Sequence, residues 1–99
     1  MKFLEFVSIK AIRPELQAAE KDSVINEMVD ALVEANDIKA DDRESIAAAV
    51  LKREDLGSTG IGKGIAVPHT KHPSVERLIG TVGVSTEGVD FNSLDGEKV

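Results

Sequence analysis

Apolar residues recur at helical spacing through residues 20–35. Val24, Ile25, Met28, Val29, Leu32 and Val33 fall on one side and leave Glu27, Asp30 and Glu34 on the other. The pattern predicts a helix that starts at about residues 20–23, opens with Lys21 and runs to Ala35, where Asn36-Asp37 ends it. A second helix is predicted from about Asp41 through Ile46, Ala47, Val50 and Leu51 to Arg53-Glu54. Asp41 is a good N-cap residue, and Glu44 three positions on makes a capping box. The inward face of this helix is mostly Ala and Val, which lets it pack close to a neighbour.

The remaining segments read as strands and turns. The first thirteen residues are apolar and β-branched enough for one or two short strands, and Pro14 breaks that stretch. Residues 65–69 are a strand-like run closed by Pro68, whose missing N–H suits a strand end. Residues 78–85 predict a further strand, and residues 87–91 a short strand or turn. Asp95-Gly96 is a turn signal. The expected class is α/β: a mixed β-sheet flanked by helices, with the His69 loop at one sheet end.

Composition narrows this. A chain of 99 residues allows one domain and argues against two. Hydrophobic residues at 41% and charged residues at 30% are an ordinary globular balance, against disorder. Phe3, Phe6 and Phe91 are the only aromatics, so the core is expected to be aliphatic. A formal charge of -6 argues against a nucleic-acid or anionic-membrane binder. The absence of cysteine excludes a disulfide scaffold, a thiol nucleophile and a thiolate zinc site, and fits a cytoplasmic protein. The amino terminus starts like a signal peptide, but Glu5 and Lys10 interrupt its apolar run. No stretch approaches the length of a membrane span.

Candidate chemistry gathers at residues 57–64, which read Gly-Ser-Thr-Gly-Ile-Gly-Lys-Gly and hold four of the eight glycines. Gly57, Gly62 and Lys63 match the first positions of a nucleotide phosphate loop, but Gly64 stands where a hydroxyl would hold magnesium. The context is also reversed, because a helix precedes the loop and a strand follows it. A tight helix-to-strand connection with positive φ angles is the simpler reading. His69 and His72 form His-x-x-His, yet Pro68 and Pro73 bracket them and only Glu76 stands near as a third metal ligand. Catalytic zinc sites use three protein ligands and structural ones four, so no metal is expected. His72 is expected to be a solvated loop residue. His69 follows a proline and lies beside a loop rich in backbone N–H groups. A neutral imidazole nitrogen is a good nucleophile near pH 7 when a hydrogen bond fixes the proton on the other nitrogen.

Arg53-Glu54 followed by Gly57-Ser58-Thr59-Gly60-Ile61-Gly62-Lys63-Gly64-Ile65-Ala66-Val67-Pro68-His69 closely resembles the signature of the mannitol/fructose-type (type 2) EIIA domain of the bacterial phosphoenolpyruvate-dependent sugar phosphotransferase system (PTS), a family that includes the nitrogen-regulatory IIA proteins. The resemblance covers nearly the whole chain. It implies that His69 accepts a phosphoryl group from the phosphocarrier HPr, or its nitrogen-branch relative, and passes it to a cysteine on a IIB domain. Arg53 is implied as the positive neighbour of that group, since a guanidinium can bind two oxygens at once. Its other reading is a helix-terminal arginine on backbone carbonyls. Thr59 and Thr70 are implied as hydroxyl donors, or else serve local turns. A relay of this kind needs no cofactor, metal or nucleotide, and its partners are proteins.

Family members continue with a further apolar strand, a segment whose histidine lies beside the first one, and C-terminal helices. The resemblance therefore implies that residues 1–99 correspond to the N-terminal two-thirds of one family domain. His72 lies too close to His69 to be that second histidine. An unpaired sheet edge left at the tail would invite self-association. Two other readings stand beside the transport relay: a nitrogen-regulatory protein that binds partners according to its phosphorylation state, and an inactive fragment.

Overall fold

The computed structural model describes residues 5–99, so the expectations for Phe3 and the first four residues lie outside it. Helix α1 spans Lys21–Glu34 and buries Val24, Ile25, Val29 and Ala31. Its end is a Schellman turn. Asn36 takes the left-handed conformation at φ 62°, its N–H donates to Val33 O at 3.0 Å, and Asp37 N–H donates to Leu32 O at 2.9 Å.

Helix α2 spans Arg43–Leu56 and buries Ile46, Ala47, Val50 and Glu54. The expected capping box at Asp41 does not form. Ala40–Asp42 is a 3-10 turn that runs straight into the helix. Asp42 is the N-cap, itself has helical φ and ψ, and makes no side-chain cap hydrogen bond. A residue already wound into the turn cannot fold its carboxylate back over the first helical N–H groups. Arg43 instead bridges Asp30 at 2.7 Å, tying the start of α2 to α1. The Asp30 hydrogen bond, opposed by burial and helped by the charges of Asp30 and Glu44, raises the Arg43 pKa further.

The sheet is smaller than expected. Strands β1 (Gly60–Gly62) and β2 (Ile65–Ala66) form an antiparallel hairpin. The segments expected as strands at residues 5–13 and 78–85 meet only in isolated parallel bridges, Val7 with Gly80 and Arg13 with Gly83. A 3-10 turn at Ile9–Ala11 lies between those bridges and stops them from merging into a strand. The mixed sheet is thus corrected to two helices, a short antiparallel hairpin and two parallel bridges. Near the tail, Val89 and Val99 exchange N–H and carbonyl hydrogen bonds, each 2.9 Å.

Among the described residues, two clusters hold most of the buried apolar side chains. Val24, Ile25, Val50, Val89 and Phe91 form one. Val29, Ile38, Ile46 and Ala47 form the other between the helices. Ile46, Ala47 and Val50 make up the buried apolar face of α2. The first cluster lies beneath the hairpin, so the helices and the tail jointly support the glycine loop. Among the described residues, no helix is long and apolar enough to cross a membrane.

Candidate functional site

The last turn of α2 leads directly into the hairpin, and a buried polar network fixes that junction. Glu54 is only 5% exposed. Its carboxylate accepts from Lys21 Nζ at 2.8 Å, from Thr59 N–H at 3.2 and 3.3 Å and from the Thr59 hydroxyl. Burial pushes the Glu54 carboxyl up. Hydrogen bonds from Lys21 and from the Thr59 hydroxyl and N–H, with the charge of Lys21, outweigh it and hold the carboxyl below its ordinary value. Lys21 Nζ also lies 5.3 Å from the Phe91 ring centroid and donates to Phe91 O at 3.4 Å. The Ser58 hydroxyl donates to the same carbonyl.

The tail clamps the hairpin from its other side. Leu94 N–H donates to Gly60 O at 3.0 Å. A Cβ on Gly60 would stand 2.9 Å from Ser93 Cα, so only glycine fits beneath the tail. The positive φ angles expected of a helix-to-strand connection fall instead in the strand-to-strand turn of the hairpin, at Gly62, Lys63 and Gly64 with φ of 105°, 58° and 76°. The Asp95 carboxylate accepts from Lys63 N–H at 2.9 Å and from Glu97 N–H at 3.0 Å. These two bonds, Lys63 first, hold the Asp95 carboxyl below its ordinary value.

His69 is reached from Thr59 in two steps. Val67 N–H donates to Thr59 O at 3.1 Å. The Val67 carbonyl lies 2.7 Å from His69 Nδ1. A carbonyl can only accept, so the neutral ring carries its proton on Nδ1 and keeps a lone pair on Nε2. The ring is exposed. The arrangement pins one ring nitrogen and, in the neutral ring, leaves the other available as a nucleophile.

The other expected site residues are placed as follows. Arg53 donates from Nη1 to Gly57 O at 2.7 Å, at the root of the hairpin. Thr59 is buried and its hydroxyl is committed to Glu54. The Thr70 hydroxyl is exposed and donates to Lys71 O at 3.3 Å. Thr59 and His69 are thus linked through Val67, whereas the Arg53 and Thr70 contacts are with local carbonyls. His72 is not the solvated loop residue expected. Its ring is half-buried, with Nε2 2.8 Å from Ser45 Oγ and Nδ1 2.7 Å from Ser74 Oγ. Ser74 N–H donates to Nδ1 at 3.2 Å. That donor makes Nδ1 an acceptor and puts the proton on Nε2, the tautomer opposite to that of His69. The sequence hid the Ser45 contact because that serine lies on α2, 27 residues away.

Comparison with known proteins settles the family. The model for "Phosphoenolpyruvate-dependent sugar phosphotransferase system, EIIA 2" matches residues 5–99. The chain belongs to this EIIA type 2 family. Its members are phosphotransferases that work through a phosphohistidine and generally interact with HPr and IIB domains. The chain is 43% identical, over 98% of its length, to the "PTS system fructose-specific EIIABC component" of Bacillus subtilis, and covers 15% of that protein. It is 30% identical, over its whole length, to the "Nitrogen regulatory protein" of Bradyrhizobium diazoefficiens, and covers 63% of it. The crystal structure of nitrogen regulatory protein IIA-Ntr from Neisseria meningitidis superposes with a TM-score of 0.79 at 26% identity. That match covers 96% of this chain and 63% of the other. The chain therefore spans less than two-thirds of each of these relatives.

Within this EIIA type 2 framework, Lys21, Glu54, Phe91 and Asp95 hold the site and were not singled out as site residues from sequence. Glu54 stood in the signature beside Arg53 and Asp95 in a turn signal. Neither position told which distant group it would meet.

Proposed function

We propose that this chain is a single EIIA domain acting as a phosphoryl carrier in a cytoplasmic relay. It accepts a phosphoryl group from an HPr-like phosphocarrier on His69 Nε2 and passes it to a cysteine of a IIB domain. The observation that carries this reading is the exposed His69 ring with Nδ1 held 2.7 Å from the Val67 carbonyl. The Nε2 lone pair attacks phosphorus, and the donor's N–P bond breaks with its electron pair returning to the donor imidazole. Nδ1 keeps its proton, and the Val67 carbonyl dipole stabilises the positive charge that the phosphorylated ring acquires. In the second step a IIB thiolate attacks phosphorus and the pair of the N–P bond returns to Nε2. Such transfer depends chiefly on alignment and on charge stabilisation.

Arg53 uses one of its five N–H donors on Gly57, which leaves donors for the phosphoryl oxygens. The Thr70 hydroxyl, next in the chain to His69, can turn from Lys71 O to the same oxygens. Thr59 acts from behind, through its carbonyl on Val67.

The test is incubation with phosphoenolpyruvate, enzyme I and HPr. One acid-labile phosphoryl group is expected on His69 and none on a folded His69→Ala variant. An unlabelled wild-type chain, or label surviving in His69→Ala, refutes the proposal. A regulatory reading draws on the whole-length similarity to the Bradyrhizobium protein and the Neisseria neighbour. Transfer from the phosphorylated chain to a IIB domain supports the transport relay. No transfer, together with partner binding that changes on phosphorylation, supports regulation.

A further inference from the structure

We infer that the buried Lys21–Glu54 pair is a positioning device for the nucleophile, setting the His69 tautomer from the far side of the hairpin. An unbroken path connects them. Glu54 accepts from Thr59 N–H at 3.2 Å and from its hydroxyl. Thr59 O accepts from Val67 N–H at 3.1 Å, and Val67 O accepts from His69 Nδ1–H at 2.7 Å. Each residue on this path donates through the N–H of one peptide group and accepts through the carbonyl of the next, so the path fixes backbone position step by step from Glu54 to His69.

The placement of the pair makes little sense as a stabilising feature alone. Glu54 lies in the last turn of α2, where the helix dipole disfavours an anion. Lys21 is the first residue of α1, where the dipole disfavours a cation. Their side chains are 2% and 17% exposed, so both are largely withdrawn from water. A buried pair of this kind is often no better for stability than apolar residues of the same volume. It does give Thr59 a strong acceptor at one fixed place. Lys21 reaches Glu54 and Phe91 O together, and Phe91 O also takes the Ser58 hydroxyl. The pair thereby locks helix ends, hairpin root and tail in one register. Without that register the Val67 carbonyl has no fixed direction in which to meet His69.

This inference rests on the phosphoryl-carrier reading for its consequence in rate, but not for its structural readout. Two near-isosteric double variants separate acceptor from charge. Lys21→Met with Glu54→Gln keeps an oxygen for Thr59 and removes both charges. Lys21→Met with Glu54→Leu removes the acceptor as well. Nitrogen-15 NMR of the His69 ring reports the tautomer without any phosphodonor, and labelling by HPr reports the rate. The Gln variant loses the Lys21 ties but keeps an acceptor for Thr59, so it is expected to show a smaller tautomer change and a smaller loss of rate than the Leu variant. The Leu variant is expected to show mixed tautomers and about tenfold slower labelling. A folded Leu variant whose His69 remains wholly Nδ1–H overturns the inference. So does a Gln variant as impaired as the Leu one. If the Leu variant does not fold, Glu54→Asp carries the test, because one methylene less draws the carboxylate off Thr59. Mixed tautomers then support the inference, and an unchanged tautomer overturns it. Should wild type accept no phosphate, the carrier reading fails while the tautomer comparison still decides this one.

Discussion

Phe91 is the residue whose loss should most clearly expose how the site is supported. It is 2% exposed and packs with Val24, Ile25, Val50 and Val89. Its ring lies 5.3 Å from Lys21 Nζ, and its carbonyl holds Lys21 and Ser58. Truncation to Ala removes a buried ring and leaves a cavity, a loss of about 3–4 kcal/mol. The attraction between ammonium and ring, partly withdrawn from water, adds about 1 kcal/mol. A chain of this length has on the order of 5–15 kcal/mol in total, so Phe91→Ala leaves it marginal. With a urea slope of about 1.2 kcal/mol per M, the midpoint falls by about 3–4 M. Phe91→Leu keeps most of the packing and loses only the ring, about 1–2 kcal/mol, so its midpoint falls by about 1–1.5 M. Far-UV circular dichroism of the two helices is the suitable probe, because the chain has no Trp or Tyr. A Phe91→Ala midpoint within about 1 M of wild type, at unchanged slope, refutes the reasoning.

Other outcomes follow from the same framework. Gly60→Ala sets a methyl 2.9 Å from Ser93 Cα; pushing the tail off the hairpin should cost about 1–3 kcal/mol in thermal or urea unfolding. An Ala variant as stable as wild type contradicts that close approach. His69→Ala, at an exposed position, should change stability by less than about 0.5 kcal/mol, which makes it a clean test of phosphorylation. Glu54 titrates below its ordinary 4.5 in the folded chain, so its contribution is complete above pH 4.5 and is lost as pH falls through the folded value. Urea midpoints should therefore drop more between pH 6 and pH 3.5 for wild type than for the Lys21→Met, Glu54→Gln variant. Equal drops refute this.

The helices were legible because their apolar residues repeat locally; α1 was expected within two residues of Lys21–Glu34. The turns at Asn36-Asp37 and Asp95-Gly96 were legible for the same local reason. His69 stood out by its place after Pro68 and the glycine loop. The sheet was not legible in detail, because residues 78–85 alternate well enough for a strand yet find only single bridging partners. Glu54 shows the deeper limit. The sequence places it at a helix end and in the signature, and only tertiary packing reveals that it is buried against Lys21 and Thr59. His72 is similar: a loop histidine between prolines reads as solvated, whereas Ser45 and Ser74 satisfy both its nitrogens. The capping box failed because a 3-10 turn lengthened the helix start past Asp41.

The clamp of the tail on the glycine hairpin has a consequence for the order of folding. Lys63 meets Asp95 across 32 residues, and Lys21 meets Phe91 across 70. Helices α1 and α2 can form and pair through contacts nearer in sequence, but the hairpin obtains its outer bonds only after much longer loops have closed. Closing such loops is entropically unfavourable until the contacts they bring form, so these steps come late. The glycine loop is thus among the last parts of the chain to take its final shape. A newly made chain would carry formed helices before it carried an aligned His69. Under the proposed function, labelling of His69 would then report that the chain from α1 to the tail has reached its final packing.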